Sequence, residues 1–334
     1  MQRSIFSKLF AATVIAAASL ASVPAQAGPF SSMFVFGDSL SDTGNLFVAT
    51  SGAQPPAGQP YFNGRFSNGP LWVETLAADL GLPGTATAYL QGGNNFAFAG
   101  ARTGTGNNPP GVLAQVAGIW NGVGDPNALY VVVGGGNNMR DARTAFQTAS
   151  ALDQAGREAA AEVAVNDLIS SLGYLAFHGA KHVLVSNLPN LGLTPEAGLL
   201  GLQYASTDVS NRFDALMPAL LAAGTGFGLD MSFLDMEAVS AAVIDDATNN
   251  GGGLYGITNV TQACAGFTFG NPQNACTSSL FSDVLHPSAA AHKLLGEAAF
   301  AAVVPEPETY ALLALGLVAV MLQTRRAKKV AAAA

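Results

Sequence analysis

The chain has 334 residues, with 14 Lys and Arg against 22 Asp and Glu, a formal net charge of −8, and charged residues make up only 11% of it. Setting aside Arg3, Lys8, the tail bases Arg325, Arg326, Lys328 and Lys329 and the tail acids Glu306 and Glu308 leaves 8 cations and 20 anions, so residues 28–302 carry −12. Such a surface repels phosphate backbones and anionic headgroups, which argues against nucleic acid and electrostatic membrane docking, and scarce charge beside abundant Gly, Ala and Asn favours an exported protein over a cytosolic one.

Residues 1–27 read as a secretory signal peptide. Arg3 and Lys8 precede an apolar run over 9–23, and Ala25-Gln26-Ala27 supplies a small-residue cleavage site, so the mature chain is expected to begin at Gly28. A first core helix is disfavoured by Pro24 and by the placement of charge only at the front. Residues 28–302 then form one domain of ordinary size, long enough for a substantial core.

Met33 to Phe36 reads as a buried strand that stops at the turn Gly37-Asp38-Ser39. Ser39 therefore stands at a strand's carboxyl end, where open α/β sheets bind ligands, and its hydroxyl is a candidate nucleophile. An isolated Asp-Ser is more often a turn residue or a helix cap. The neighbourhood decides otherwise. Position 41 is Ser, so this is not the elbow that needs glycine two residues either side of the serine. Continued through Ser41, Asp42, Thr43, Gly44 and Asn45, the stretch resembles the GDSL branch of the SGNH hydrolases, lipases and esterases whose serine lies near the start of the mature chain. The resemblance implies a three-layer α/β/α, flavodoxin-like fold with a mostly parallel five-stranded sheet.

A Gly-, Pro- and Asn-rich loop over 50–69 follows and is expected to line the substrate cleft, solvated coil being the alternative. Pro70 opens an apolar-periodic helix over 71–80, closed by Gly81. The stretch 92–103 reads as a strand ending at Gly100, whose backbone N–H a ligand could approach closely; the resemblance makes Gly100 a donor to an oxyanion hole. The β-branched run 129–133 is a buried parallel strand that runs into Gly134-Gly135-Gly136-Asn137-Asn138. The family's third block is Gly-x-Asn-Asp, its asparagine amide an oxyanion donor. Gly135 and Asn137 fit it, but Asn138 stands where Asp is usual, so Asn138 after Gly136 stays open as the donor. A helix over 153–177, a strand over 182–186, a helix over 207–223 and a strand over 227–233 continue a parallel sheet covered on both faces.

Cys264 and Cys276 lie in a Gly/Asn/Thr-rich segment with no nearby His to complete a metal set. In an oxidising compartment they read as a disulfide closing a short loop, worth about 2–4 kcal/mol. The last block, Ser282-Asp283-Val284-Leu285-His286-Pro287-Ser288, leads into a helix over 289–302. Asp and His three apart on a pre-helical loop can reach one site, His286 taking the serine proton while Asp283 holds its tautomer. Of the other histidines, His178 and His182 flank a turn and read as surface residues, and His292 as a face residue of the final helix.

After Val304-Pro305-Glu306-Pro307-Glu308 comes an uncharged run over 310–322, then the four tail bases. Thirteen residues span about 20 Å as a helix, short of a bilayer core of about 30 Å, so this is a marginal membrane segment with its bases expected on the cytoplasmic side. Residues 303–334 resemble a PEP-CTERM sorting tail of Gram-negative bacteria, processed by an exosortase-type protease; a plain carboxy-terminal anchor is the alternative. Together the blocks imply an exported serine esterase or lipase of the cell envelope, surface or matrix. Its triad is Ser39, His286 and Asp283, and its oxyanion hole is Ser39, Gly100 and Asn137. It needs no metal or organic cofactor, and its partners are an acyl ester, signal peptidase and an exosortase. Acetylesterase action on an exported polysaccharide and a non-catalytic matrix-binding module are the competing expectations.

Overall fold

Four short strands all run the same way, β1 (Met33–Phe36), β2 (Leu129–Val132), β3 (His182–Ser186) and β4 (Asp230–Leu234), in the order β1-β2-β3-β4, with β1 to β3 largely buried and β4 a partly exposed edge. The computed structural model describes residues 29–56, 60–120, 122–264 and 276–304; the expected signal peptide and sorting tail lie outside them. Val35 pairs with Val131 and Val131 with Leu184, so equivalent side chains of neighbouring strands share a face.

Nine α-helices of five residues or more among the described residues surround the sheet: α1 (Asn45–Ala49), α2 (Trp72–Asp79), α3 (Gly136–Ala145), α4 (Ala151–Phe177), α5 (Pro195–Leu200), α6 (Gln203–Ala215), α7 (Met217–Gly226), α8 (Met236–Asn249) and α9 (Ala289–Val303). A helical turn at Val112–Ala114 widens into a π-helix at Gln115–Trp120. Because successive strand residues point to opposite faces, Phe36, Tyr130, Val132, Val183 and Val185 pack against Met139 of α3, Leu168 and Leu172 of α4, Phe213 of α6 and Leu220 of α7. Met33, Val35, Leu129, Val131 and Leu184 pack against Trp72 and Leu76 of α2 and Leu295 and Ala299 of α9. Both faces are covered, which gives the three-layer α/β/α arrangement.

The sheet has four regular strands rather than five. The fifth position, beside β1, is taken by the extended segment 94–98: Val35 N–H donates to Asn94 O (3.1 Å), Phe96 N–H to Val35 O (2.7 Å) and Phe98 N–H to Gly37 O (3.1 Å). The ladder is interrupted between the last two of these bonds, because Gly37 N–H is taken by the side chain of Gln115. The helix expected over 207–223 is two helices, α6 and α7, which meet at Leu216, with Pro218 in the first turn of α7. A separate parallel pair, β5 (Asn259–Ala263) and β6 (Ser279–Phe281), lies beyond the main sheet. Cys264 and Cys276 are joined by a disulfide with an S–S distance of 1.99 Å. β6 thus delivers the 281–288 loop, and Ser288 caps α9 by accepting from Ala291 N–H.

Candidate active site

β1 ends at a turn built to hold Ser39 still. A Cβ on Gly37 would sit 3.0 Å from Val133 O, so glycine lets the turn after β1 and the end of β2 approach without crowding. The fully buried Gln115 clasps Gly37 from both sides, accepting from its N–H at 2.8 Å and donating to its carbonyl at 2.8 Å. The Asp38 carbonyl accepts from Ser41 N–H (3.0 Å) and Asp42 N–H (2.9 Å), closing the turn around Ser39. The Asp38 carboxyl accepts from Leu40 N–H, and burial pushes its pKa up to about 6.

On the opposite side, Asp283 accepts from the N–H groups of Leu285 (2.7 Å) and His286 (2.6 Å), which bends the loop back on itself. That bend puts His286 Nδ1 2.7 Å from Asp283 Oδ2 and His286 Nε2 2.9 Å from Ser39 Oγ. An ionised carboxylate only accepts, so the Nδ1 proton belongs on the Asp283 side and Nε2 faces the serine hydroxyl as acceptor. Burial works to raise the Asp283 pKa, but the His286 charge and the hydrogen bonds outweigh it and bring it down to about 2. Of the 50–69 loop, Tyr61 donates its hydroxyl to Asp283 Oδ2 (3.0 Å) and the Phe66 ring lies 5.0 Å from that of His286. The loop therefore props the His–Asp pair; none of its described residues lines the cleft, contrary to expectation. Burial, then the neighbouring Asp283 carboxylate, push the Tyr61 hydroxyl pKa up.

The residues following Ser39 staple a second segment to the turn. The buried Asp42 carboxylate accepts from Gly44, Asn45, Leu46 and, at 2.8 Å, Ala99 N–H. Asn45 donates to Asn95 O and Ala97 O, and Asn95 donates to Ser41 O. The chain leaves this staple at Gly100 with φ of 82°. Among the described residues nothing accepts from the backbone N–H of Ser39 or of Gly100.

Gly135 opens α3 with φ of 116°, and a Cβ there would lie 2.4 Å from Phe213 Cε2. Two residues on, Asn137 lines the cleft; its Nδ2 donates to Ala101 O (2.9 Å) and its Oδ1 accepts from Arg140 Nη1 (3.3 Å). Asn138 turns away and pairs with Thr103, accepting from its N–H (3.0 Å) and donating to its Oγ1 (3.2 Å).

Ser39, His286, Asp38, Asn137 and Arg140 lie at the polar end of a cleft of about 830 Å³, its open mouth included, whose walls are largely apolar: Leu188, Leu191, Met236, Ile244, Leu280 and Leu285. One wall, residues 187–190, is held by carboxylates: Asp214 accepts from Leu188 N–H (3.0 Å) and Glu237 from Asn190 N–H (2.5 Å). Burial, helped by Glu237 and Asp235, pushes the Asp214 pKa up to about 7. The remaining histidines are elsewhere. His182 pairs with Asp230 (3.0 Å), and the His178 ring stacks on Tyr174. His292 is a fully buried core residue, its Nδ1 accepting from Trp72 N–H and its pKa brought down by burial to about 3, which keeps it neutral.

The sequence profile of GDSL-like lipases/acylhydrolases matches residues 33–299, from the first residue of β1 into α9. The chain belongs to the GDSL-like lipase/acylhydrolase family. That family consists of ester-bond hydrolases. The PEP-CTERM protein-sorting motif matches residues 303–326 and marks the chain for export to the envelope or surface. A phosphatidylcholine-sterol acyltransferase of Aeromonas hydrophila is 28% identical over 247 residues, covering 72% of this chain and 67% of that protein. Esterase EstA of Pseudomonas aeruginosa is 28% identical over 354 aligned positions, covering 89% of this chain and 50% of that protein. The chain thus spans between about half and two thirds of the length of these curated relatives. An extracellular lipase of Streptomyces rimosus superposes with a TM-score of 0.44 at 16% identity, covering 81% of this chain and all of that one; at that distance it carries no inference. No helix among the described residues is long and apolar enough to cross a membrane, and the apolar run over 310–322 lies outside them.

Tyr61, Gln115 and Arg140 escape the sequence reading. None belongs to a recognisable block, and each acts on a partner that is distant in the chain or visible only once the helix is placed.

Proposed function

We propose that this protein is an exported serine esterase that cleaves carboxylic esters through a Ser39–His286–Asp283 triad and an acyl-enzyme. One observation carries the reading: Ser39 Oγ and His286 Nε2, 247 positions apart, lie at 2.9 Å, with Asp283 2.7 Å from the other ring nitrogen. His286 takes the Ser39 proton as Oγ attacks the acyl carbonyl, and the imidazolium so formed is stabilised by Asp283. The unpaired N–H groups of Ser39 and Gly100, with Asn137 Nδ2, hold the oxyanion. His286 then returns the proton to the departing alcohol. Water, deprotonated by the same imidazole, releases the acid.

The apolar walls favour an acyl chain longer than acetyl, because each buried methylene contributes about 0.8 kcal/mol. Deacetylation of an exported polysaccharide is the second reading, and it rests on the PEP-CTERM motif alone. In the cell the chain is cut by signal peptidase before Gly28, the domain 28–302 acts outside, and an exosortase-type protease processes 303–334. The test uses p-nitrophenyl acetate, butyrate and octanoate with the purified protein and Ser39→Ala. Activity should rise with chain length and vanish in the variant. Unchanged turnover by Ser39→Ala refutes the triad; preference for acetate, with acetate release from acetylated glycan, favours the second reading.

A further inference from the structure

We propose that Arg140 is a positioning residue whose guanidinium fixes which end of the Asn137 amide faces the cleft, and that Glu196 ties this setting to the His286 loop. The proposal rests on the reading of Asn137 as an oxyanion donor.

An asparagine amide has two nearly isosteric ends, and a rotation of 180° would present the cleft with an acceptor where a donor is needed. Two contacts decide the orientation. One Nδ2–H donates to Ala101 O, and Oδ1 accepts from Arg140 Nη1. Flipped, the amide would set oxygen against the Ala101 carbonyl and NH₂ against a guanidinium, replacing two attractions by two repulsions. In the observed orientation one Nδ2–H remains unspent. Donation from a cation into Oδ1 also polarises the amide and strengthens that remaining donor.

Arg140 lines the cleft but has little left to offer a substrate. Its Nε and Nη2 form a fork on the Glu196 carboxylate, at 3.1 and 2.5 Å. Glu196 is held in turn by the buried Arg143, and its own N–H donates to Val284 O at 2.7 Å. Val284 sits between Asp283 and His286. The first residues of α5 therefore connect the amide on α3 to the loop that carries the imidazole, and each of the three guanidinium nitrogens of Arg140 has a protein acceptor.

The experiment compares Arg140→Ala, Arg140→Lys, Asn137→Ala and Arg140→Ala/Asn137→Ala in the full chain, reading kcat and KM on p-nitrophenyl butyrate and the rate of fluorophosphonate labelling of Ser39. Arg140→Ala should lower kcat about 10- to 100-fold with KM little changed, less than the 10²–10³ typical of losing a donor outright. Arg140→Lys, which keeps the charge but not the fork, should fall between. The double variant should be no slower than Asn137→Ala alone, because Arg140 acts only through that amide. Added guanidinium ion should restore part of the Arg140→Ala rate and none of the double variant's. Losses that multiply in the double variant, a change confined to KM, or an Arg140→Lys enzyme as fast as the unaltered one overturn the proposal. Should Asn137→Ala itself keep full kcat, the oxyanion reading falls first and this one with it.

Discussion

Gln115→Leu tests whether the nucleophile turn is held from outside its own segment. Leucine fills nearly the same volume, so the change is chiefly the loss of three hydrogen bonds: from Gly37 N–H, to Gly37 O and to Pro110 O. The losses are unequal. Gly37 O still accepts from Phe98 N–H, but Gly37 N–H is left buried and orphaned. Counting about 1 kcal/mol for each of the two replaceable bonds and about 1–3 kcal/mol for the orphan gives a loss of about 3–5 kcal/mol, a large share of the roughly 5–15 kcal/mol of a typical domain. Urea unfolding followed by fluorescence of Trp72 and Trp120 should show a lower midpoint with an unchanged slope. Fluorophosphonate labelling of the fraction still folded should slow, since Ser39 is two residues from the loosened glycine. Gln115→Glu is the control. Its carboxylate can accept from Gly37 N–H but opposes two carbonyls, so its folded pKa is raised and its stability is higher at low pH and lost as pH rises. A loss below about 1 kcal/mol for Gln115→Leu would refute the clasp, because that is no more than one exchangeable hydrogen bond.

Asn137→Ala should cost about 10²–10³ in kcat, whereas Asn138→Ala, which breaks the Thr103 pairing, should lower the melting temperature and leave kcat within a few fold; equal kcat losses would show that the choice between them is wrong. Tyr61→Phe keeps the ring and removes one hydrogen bond to Asp283, so kcat should fall roughly five-fold, the equivalent of about 1 kcal/mol, with KM steady in a chain-length series. Gly135→Ala forces a methyl into Phe213 at a φ of 116° and should destabilise by about 2–5 kcal/mol from strain and overpacking together; Phe213→Leu in the same chain should recover only the packing part, as denaturation midpoints will tell. Asp283 has a folded pKa of about 2 against an ordinary 3.8, so its contribution, about 2 kcal/mol, is complete above pH 4 and lost as pH falls towards 2. Asp283→Asn should lack that acid limb in stability-versus-pH curves.

Much of the site was legible because its chemistry is concentrated in short blocks. Asp283 and His286 are three residues apart, and the bend that joins them is made by their own backbone N–H groups. Ser39 follows a short apolar run that reads as a buried strand and stops at a polar turn, so its place at a strand's carboxyl end was implied. The fifth strand was harder: whether 94–98 pairs regularly depends on where Gly37 N–H goes, and it goes to a glutamine 78 residues away. The loop over 50–69 was expected in the cleft and instead buttresses Asp283 and His286, a choice made by Tyr61 reaching 222 residues along the chain. His292 reads as one more helix-face residue until α2 is packed over it.

Composition, periodicity and four local blocks were enough to point to the layered α/β architecture, to the three residues proposed here as a triad and to export of the chain. Which of two adjacent asparagines looks into the cleft was decided only in three dimensions. Neighbouring helix positions differ by about 100°, and the start of α3 is pinned by the contact of Gly135 with Phe213, on a helix that the sequence places far away. The same holds for Arg140 and Gln115. Their side chains are ordinary until folding removes water from around them and leaves one partner within reach, and no local pattern in the chain records which partner that will be.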